Sequence, residues 1–119
     1  MIGDIVLVPF PNSDLTAGKL RPALVLHEDA IEKEITIAYI SSKTPLVPSP
    51  CDVLVTKGTH SFEEAGLKMN SVIKLNKIVS IKSYFIMGLL GSADEAMRAE
   101  VNRAIDICLK IRRTGKDSN

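Results

Sequence analysis

A chain of 119 residues, 45% hydrophobic and 24% charged, has room for one core and too little for two, and its composition excludes intrinsic disorder as the default. Fifteen basic side chains against fourteen acidic ones leave a net charge of +1, which gives little sign of a dedicated polyanion binder. Every apolar run is interrupted by lysine, glycine or a carboxylate, and the opening MIGDIV lacks the layout of a secretion signal, so a cytoplasmic protein without a membrane span is expected.

Taken in chain order, the first 90 residues read as short strands joined by turn chemistry. Asp4–Pro9 is a β-branched run closed by Pro9-Phe10-Pro11. A turn-rich loop follows, with Asn12, Ser13, Asp14, Thr16 and Gly18, longer than a usual hairpin connection and so a candidate for function. Pro22–His27 and Ile35–Ser41 are the next two strands. The proline-rich stretch from Thr44 to Pro50 cannot continue a central strand, and Cys51–Thr56 resumes the β pattern. Ser61 and Glu64 form an S-x-x-E capping box, predicting one helical turn stopped at Gly66. Ser71–Leu75, Lys77–Ile81 and Ile86–Leu90 complete a strand set suited to a closed or nearly closed barrel.

The ending changes period. Ser92 with Glu95 is a second capping box, and Met97, Val101, Ala104, Cys108 and Ile111 recur at helical spacing. They predict an amphipathic helix of roughly five turns with Cys108 on its packed face. Residues 1–113 read as one domain and 114–119 as a short polar tail. The basic run KIRRTGK closes that helix, where cations favour the dipole. Cys51 and Cys108 fit no metal spacing and lie far apart, so free thiols are expected in a cytoplasmic chain. With no Cys or His cluster, no metal is expected.

Alternation ranks the polar candidates. In the second strand the leucines mark the core face, which leaves Arg21 with Ala23, Val25 and His27 on the less apolar one, stiffened by Pro22. On pattern alone, an arginine there simply reaches into solvent. The third strand runs out into Ser41-Ser42-Lys43-Thr44, three hydroxyls and a cation that could hold phosphate oxygens or form an ordinary polar turn. His27 and His60 share no motif and read as non-catalytic. Glu63-Glu64 complements a helix start.

The residues then carry a resemblance. GDIVLVPFP, a turn-rich loop and KLRPALVL resemble the opening signature of the MazF/PemK toxins, and the similarity runs on through ITIAYIS, LKMNSVIKL and Gly88–Leu90. It implies a mainly β, SH3-like small barrel with a C-terminal amphipathic helix. It also implies a homodimer and a toxin endoribonuclease that cuts single-stranded RNA without metal or other cofactor. A cognate antitoxin would cover the same region with a disordered tail. The family's arginine falls on Arg21 and its hydroxyl on Ser41, with Thr44 the alternative if the register slips and Ser42 on the opposite face. RNA contacts are implied for Asn12, Ser13, Lys19, Ser42, Lys43, Thr44 and Asn70. Phe10 could stack a base or serve the core. The 2′-hydroxyl of the RNA would attack the neighbouring phosphate, giving a cyclic phosphate and a 5′-hydroxyl, with Arg21 stabilising charge. Two other readings share the fold: a non-enzymatic toxin like the gyrase poison CcdB, and an inactive partner-binding relative.

Overall fold

Strand β1 (Asp4–Pro9) starts where Gly3 turns the chain at φ 92°, its N–H donating to the Val25 carbonyl at 2.8 Å. A side chain at Gly3 would displace only the end of the flexible Arg98 side chain, so it is the dihedral that requires glycine. The computed structural model describes residues 1–9 and 19–111. The turn-rich loop with Asn12 and Ser13, Phe10, and the tail 114–119 lie outside those residues.

Five more strands follow: β2 (Leu20–Asp29), β3 (Glu34–Ser41), β4 (Asp52–Val55), β5 (Ser71–Lys82) and β6 (Gly88–Ser92). They form one antiparallel sheet in the order β4-β5-β3-β2-β1-β6, curled into a half-barrel. β4 and β6 are its two edges, so the expected barrel is realised without closing its ladder. The segment from Thr44 to Pro50 lies outside the strands, as its prolines require. Asp29 caps the β2–β3 turn, its Oδ1 accepting the N–H groups of Ile31 and Glu32 at 3.0 Å each.

The two segments expected at 71–75 and 77–81 are one strand with a deep irregularity at their junction. Ala38 pairs with Ile78 and Ile40 with Ile73, so Tyr39 alone stands opposite the four residues 74–77. Such an excess bends a strand and re-aims its side chains. Asn76, read as a break, is the middle of that bend.

Helix α1 (His60–Ala65) is capped by Thr59, whose Oγ1 accepts from the Phe62 amide at 3.2 Å. Ser61, the expected cap, instead donates its hydroxyl to Asp94 at 2.7 Å. Gly66 ends the helix in the left-handed region at φ 73°, as expected of a C-terminal glycine. Helix α2 (Glu95–Cys108) is capped by Asp94 in place of Ser92, which is still in β6. It has four turns instead of five, with Met97, Val101 and Ala104 buried and Ile111 fully exposed beyond its end.

Both faces of the sheet are covered. On one, Ile5, Leu24, Ala38, Ile40 and Ile73 pack with Phe62 of α1 and with Met97 and Val101 of α2. On the other, Val6, Val8, Ala23, Val25, Ile35, Ile37 and Tyr39 form a second cluster under Val79, Ile81 and Ile86. The face assigned to Arg21 as the less apolar one is therefore also core: Ala23 and Val25 are 0% and 1% exposed. Both belong to the second cluster, with Val6, Ile37 and Tyr39 beside them.

Cys51 and Cys108 are joined in a disulfide, with Cα atoms 5.3 Å apart. This corrects the expectation of free thiols. Their separation of 57 positions in sequence hides that the start of β4 meets the last turn of α2.

A cationic groove at the end of the central strands

A groove of about 780 Å³ opens where β2 begins and β3 ends. Arg21 and Pro22 enter it from the start of β2, and Tyr39 to Lys43 from the end of β3. The segment after α1 (Gly66–Met69) and the bent part of β5 supply further walls, and Leu7 and Leu90 the apolar floor. Five cationic side chains line it, Arg21, Lys43, Lys68, Lys74 and Lys77, and no described carboxylate does. The chain's net charge of +1 conceals this clustering.

Arg21 pairs across the ladder with Val8 and is half-buried. Ser41 closes β3 opposite Val72, and its Oγ accepts the Lys43 amide at 3.0 Å. That short turn holds Ser42 and Lys43 at the rim, both exposed. Tyr39 lies behind them, donating to the Pro9 carbonyl at 3.3 Å, and burial raises its phenol above the ordinary value. The Ser71 hydroxyl is spent on the Met69 carbonyl at 2.8 Å, which shapes the wall.

The structure thus brings together four of the residues singled out by sequence: Arg21, Ser41, Ser42 and Lys43. Lys19, Thr44 and Asn70 are exposed and outside the described lining. The Asn70 carboxamide accepts the Lys57 amide at 2.7 Å, a loop-to-loop tie. Asn12, Ser13 and Phe10 lie outside the described residues. Sequence reasoning missed Tyr39, Lys68, Lys74 and Lys77. Only the loss of strand pattern at Asn76 hinted that β5 bends here.

Lys74 is tied to its cross-strand partner: its Nζ lies 3.3 Å from Oδ1 of Asp52, whose side chain is 4% exposed. Burial pushes the Asp52 carboxyl up, but the Ser49 amide and the Lys74 ammonium outweigh it and hold the group below its ordinary value. The histidines are elsewhere. His27 is exposed on β2 and His60 bonds Asp94 at the start of α2. Among the described residues, no group of three His, Cys, Asp or Glu side chains is placed to hold a metal ion. No helix is long and apolar enough to cross a membrane.

Comparison with known proteins follows the same geometry. The Mycobacterium tuberculosis toxin MazF-mt6 superposes with a TM-score of 0.69 at 17% identity, covering 92% of this chain and 99% of that one. A mycobacterial endoribonuclease in complex with its cognate antitoxin gives 0.67 at 14% identity, over 96% of this chain and 98% of that one. The MazE–MazF structure from Deinococcus radiodurans gives 0.63 at 22% identity, over 89% and 92%. At such identities the likeness shows the fold. No curated protein matches the chain in sequence. The profile of the PemK-like, MazF-like toxins of type II toxin-antitoxin systems matches residues 2–109. Spanning every strand and helix described above, that match places the chain in this toxin family.

Proposed function

We propose that this toxin is an endoribonuclease that cleaves single-stranded RNA without a metal ion. The observation that carries the reading is the groove itself: five cations and no described carboxylate, beside the hydroxyl of Ser41. A polyanion threaded there meets charge complementarity on every side.

In the proposed reaction the 2′-oxygen of a ribose forms a bond to the adjacent phosphorus while the bond to the 5′-oxygen breaks. The 2′-hydroxyl proton is lost to water and the departing 5′-oxygen gains one, leaving a cyclic phosphate and a 5′-hydroxyl. Arg21 faces the phosphate with a planar fork that matches two of its oxygens and stabilises the charge that accumulates on them. Ser41, held by the Lys43 amide, donates its hydroxyl hydrogen to the same group. Lys43 adds charge at the rim. Charge stabilisation and alignment are what these side chains offer, since a guanidinium gives up its proton reluctantly. Asn12, Ser13, Lys19, Ser42, Thr44 and Asn70 extend the RNA path on either side of this centre.

We also infer a cytoplasmic homodimer inhibited by a cognate antitoxin. The complexes with antitoxin among the similar structures support that partner. Incubation of the purified protein with a long RNA in EDTA tests the enzyme reading. Cleavage that survives EDTA and disappears in Arg21→Ala is the expected result. Intact RNA together with growth arrest on expression overturns it in favour of a non-enzymatic toxin.

A further inference from the structure

Lys74 stands in the bend of β5, one of four residues opposed by Tyr39 alone. The bend separates neighbours that a regular strand would alternate evenly. Leu75 goes to the core at 0% exposure, Asn76 to solvent, and Lys74 and Lys77 to the groove. A surface lysine on a strand usually keeps its ammonium mobile in water. Lys74 does not: its side chain is 25% exposed, and a carboxylate with 4% exposure fixes it from directly across the β4–β5 pair. Asp52 is in turn gripped by the Ser49 amide at 2.9 Å. An ammonium carries three N–H donors. The contact to Oδ1 is an ion pair at 3.3 Å without hydrogen-bond geometry, so those donors can turn to an acceptor entering the groove. The lysine is therefore oriented before any ligand arrives, which lowers the ordering cost of binding.

We propose that Lys74, seated on Asp52, is a second phosphate-binding residue of the groove, gripping a non-scissile phosphate of the RNA while Arg21 and Ser41 attend the scissile one. The assignment rests on the endoribonuclease reading and adds a contact on the opposite wall. Gripping the chain at two phosphates sets its register, so Lys74 acts on substrate binding and leaves the chemical step to the other wall.

The test uses a short RNA for steady-state cleavage and the same sequence with 2′-O-methyl riboses for binding across a salt series. The double variant Lys74→Met/Asp52→Asn removes the charge without stranding a buried carboxylate. Lys74→Gln is measured in parallel because its amide still donates to Asp52, and Lys74→Arg keeps the charge. Loss of one phosphate contact predicts a KM raised about tenfold with kcat within about twofold, and a salt slope shallower by about 0.7. Lys74→Arg restores the slope. Unchanged KM and slope in both neutral variants, with a wild type that cleaves, overturn the seat and leave the endoribonuclease reading standing. A drop in kcat at constant KM overturns it as well, by moving Lys74 into the chemical step. A wild type that neither binds nor cleaves RNA removes both readings together.

Discussion

His60 and Asp94 join the starts of the two helices: Nδ1 of His60 lies 2.9 Å from Oδ2 of Asp94, the residue that caps α2. The Asp94 side chain also accepts the Ser61 hydroxyl and the Met97 amide, the latter at 2.9 Å. The hydrogen bond to Asp94, aided by the charge of Glu64, raises the imidazole above its ordinary value of 6.5. Burial pushes the Asp94 carboxyl up, but the bond to His60 and those to Met97 and Ser61 hold it below 3.8.

The signs fix a pH window. A raised imidazole contributes stability that is complete below 6.5 and is lost as pH climbs through the higher folded value. A lowered carboxyl contributes stability that is present above 3.8 and is lost as pH falls through the lower folded value. The pair therefore supports the fold best between those two values. Denaturant titrations across pH should show wild-type stability declining above 6.5, and His60→Gln should flatten that decline. An unaltered pH profile in His60→Gln counts against the pair.

Reduction should loosen the protein. The Cys51–Cys108 bond closes a 57-residue separation, for which chain entropy gives a stabilisation of about 4 kcal/mol, with about 2–4 typical of measured cases. A dithiol reductant, or Cys51→Ser with Cys108→Ser, should lower the denaturant midpoint accordingly. Free thiols titrating in the untreated, air-exposed protein at two per chain contradict the linkage.

Gly66 tolerates no side chain. Its φ is 73°, and an added Cβ would collide with the Leu90 carbonyl of β6. Gly66→Ala should cost about 1–3 kcal/mol through the left-handed conformation alone, with more from the displaced strand. Thermal melts against the wild type measure this, and Gly58→Ala is the control, since it shares a positive φ but meets nothing within 4 Å. Equal losses at the two positions place the effect in the dihedral and none of it in the collision.

Ser41 and Arg21 should separate by substitution type. Losing one preorganised donor to a charged transition state costs about a hundredfold to a thousandfold. Ser41→Ala should therefore cut kcat on that scale, while Ser41→Thr keeps most of it. Arg21→Lys should behave more like Arg21→Ala than like the wild type, because a point charge cannot reproduce the two-oxygen grip. Thr44→Ala is expected to leave kcat close to normal; a collapse there with retained activity in Ser41→Ala transfers the hydroxyl role to Thr44.

Local chemistry made most of the fold readable. β-branched runs, prolines and Gly66 located the strands and the end of α1 within a few residues, because each acts within its own stretch of chain. Local pattern also put Arg21 and Ser41 at strand ends, but it read the arginine as reaching into solvent; the family signature singled the two out, and the fold brings them to one groove. What escaped depends on distance. The caps went to Thr59 and Asp94, since Ser61 found a better acceptor across the helices. Lys74 and Lys77 reached the groove through a bend that exists only when β5 pairs with two strands at once. The disulfide and the second buried cluster likewise depend on tertiary packing, which no period in the sequence encodes.

The first strand of the chain pairs with the last. β1 receives β6 along Asp4–Leu7, and the Ala93 amide then donates to the Gly3 carbonyl at 2.7 Å. During synthesis, Leu7 leaves the ribosome long before Leu90, and one side of the groove floor waits for the other. A nascent chain stopped before residue 88 would hold Arg21 and Ser41 yet lack that wall. The groove is therefore the last part of the sheet to be completed, and anything that binds in it must wait for β6 to dock.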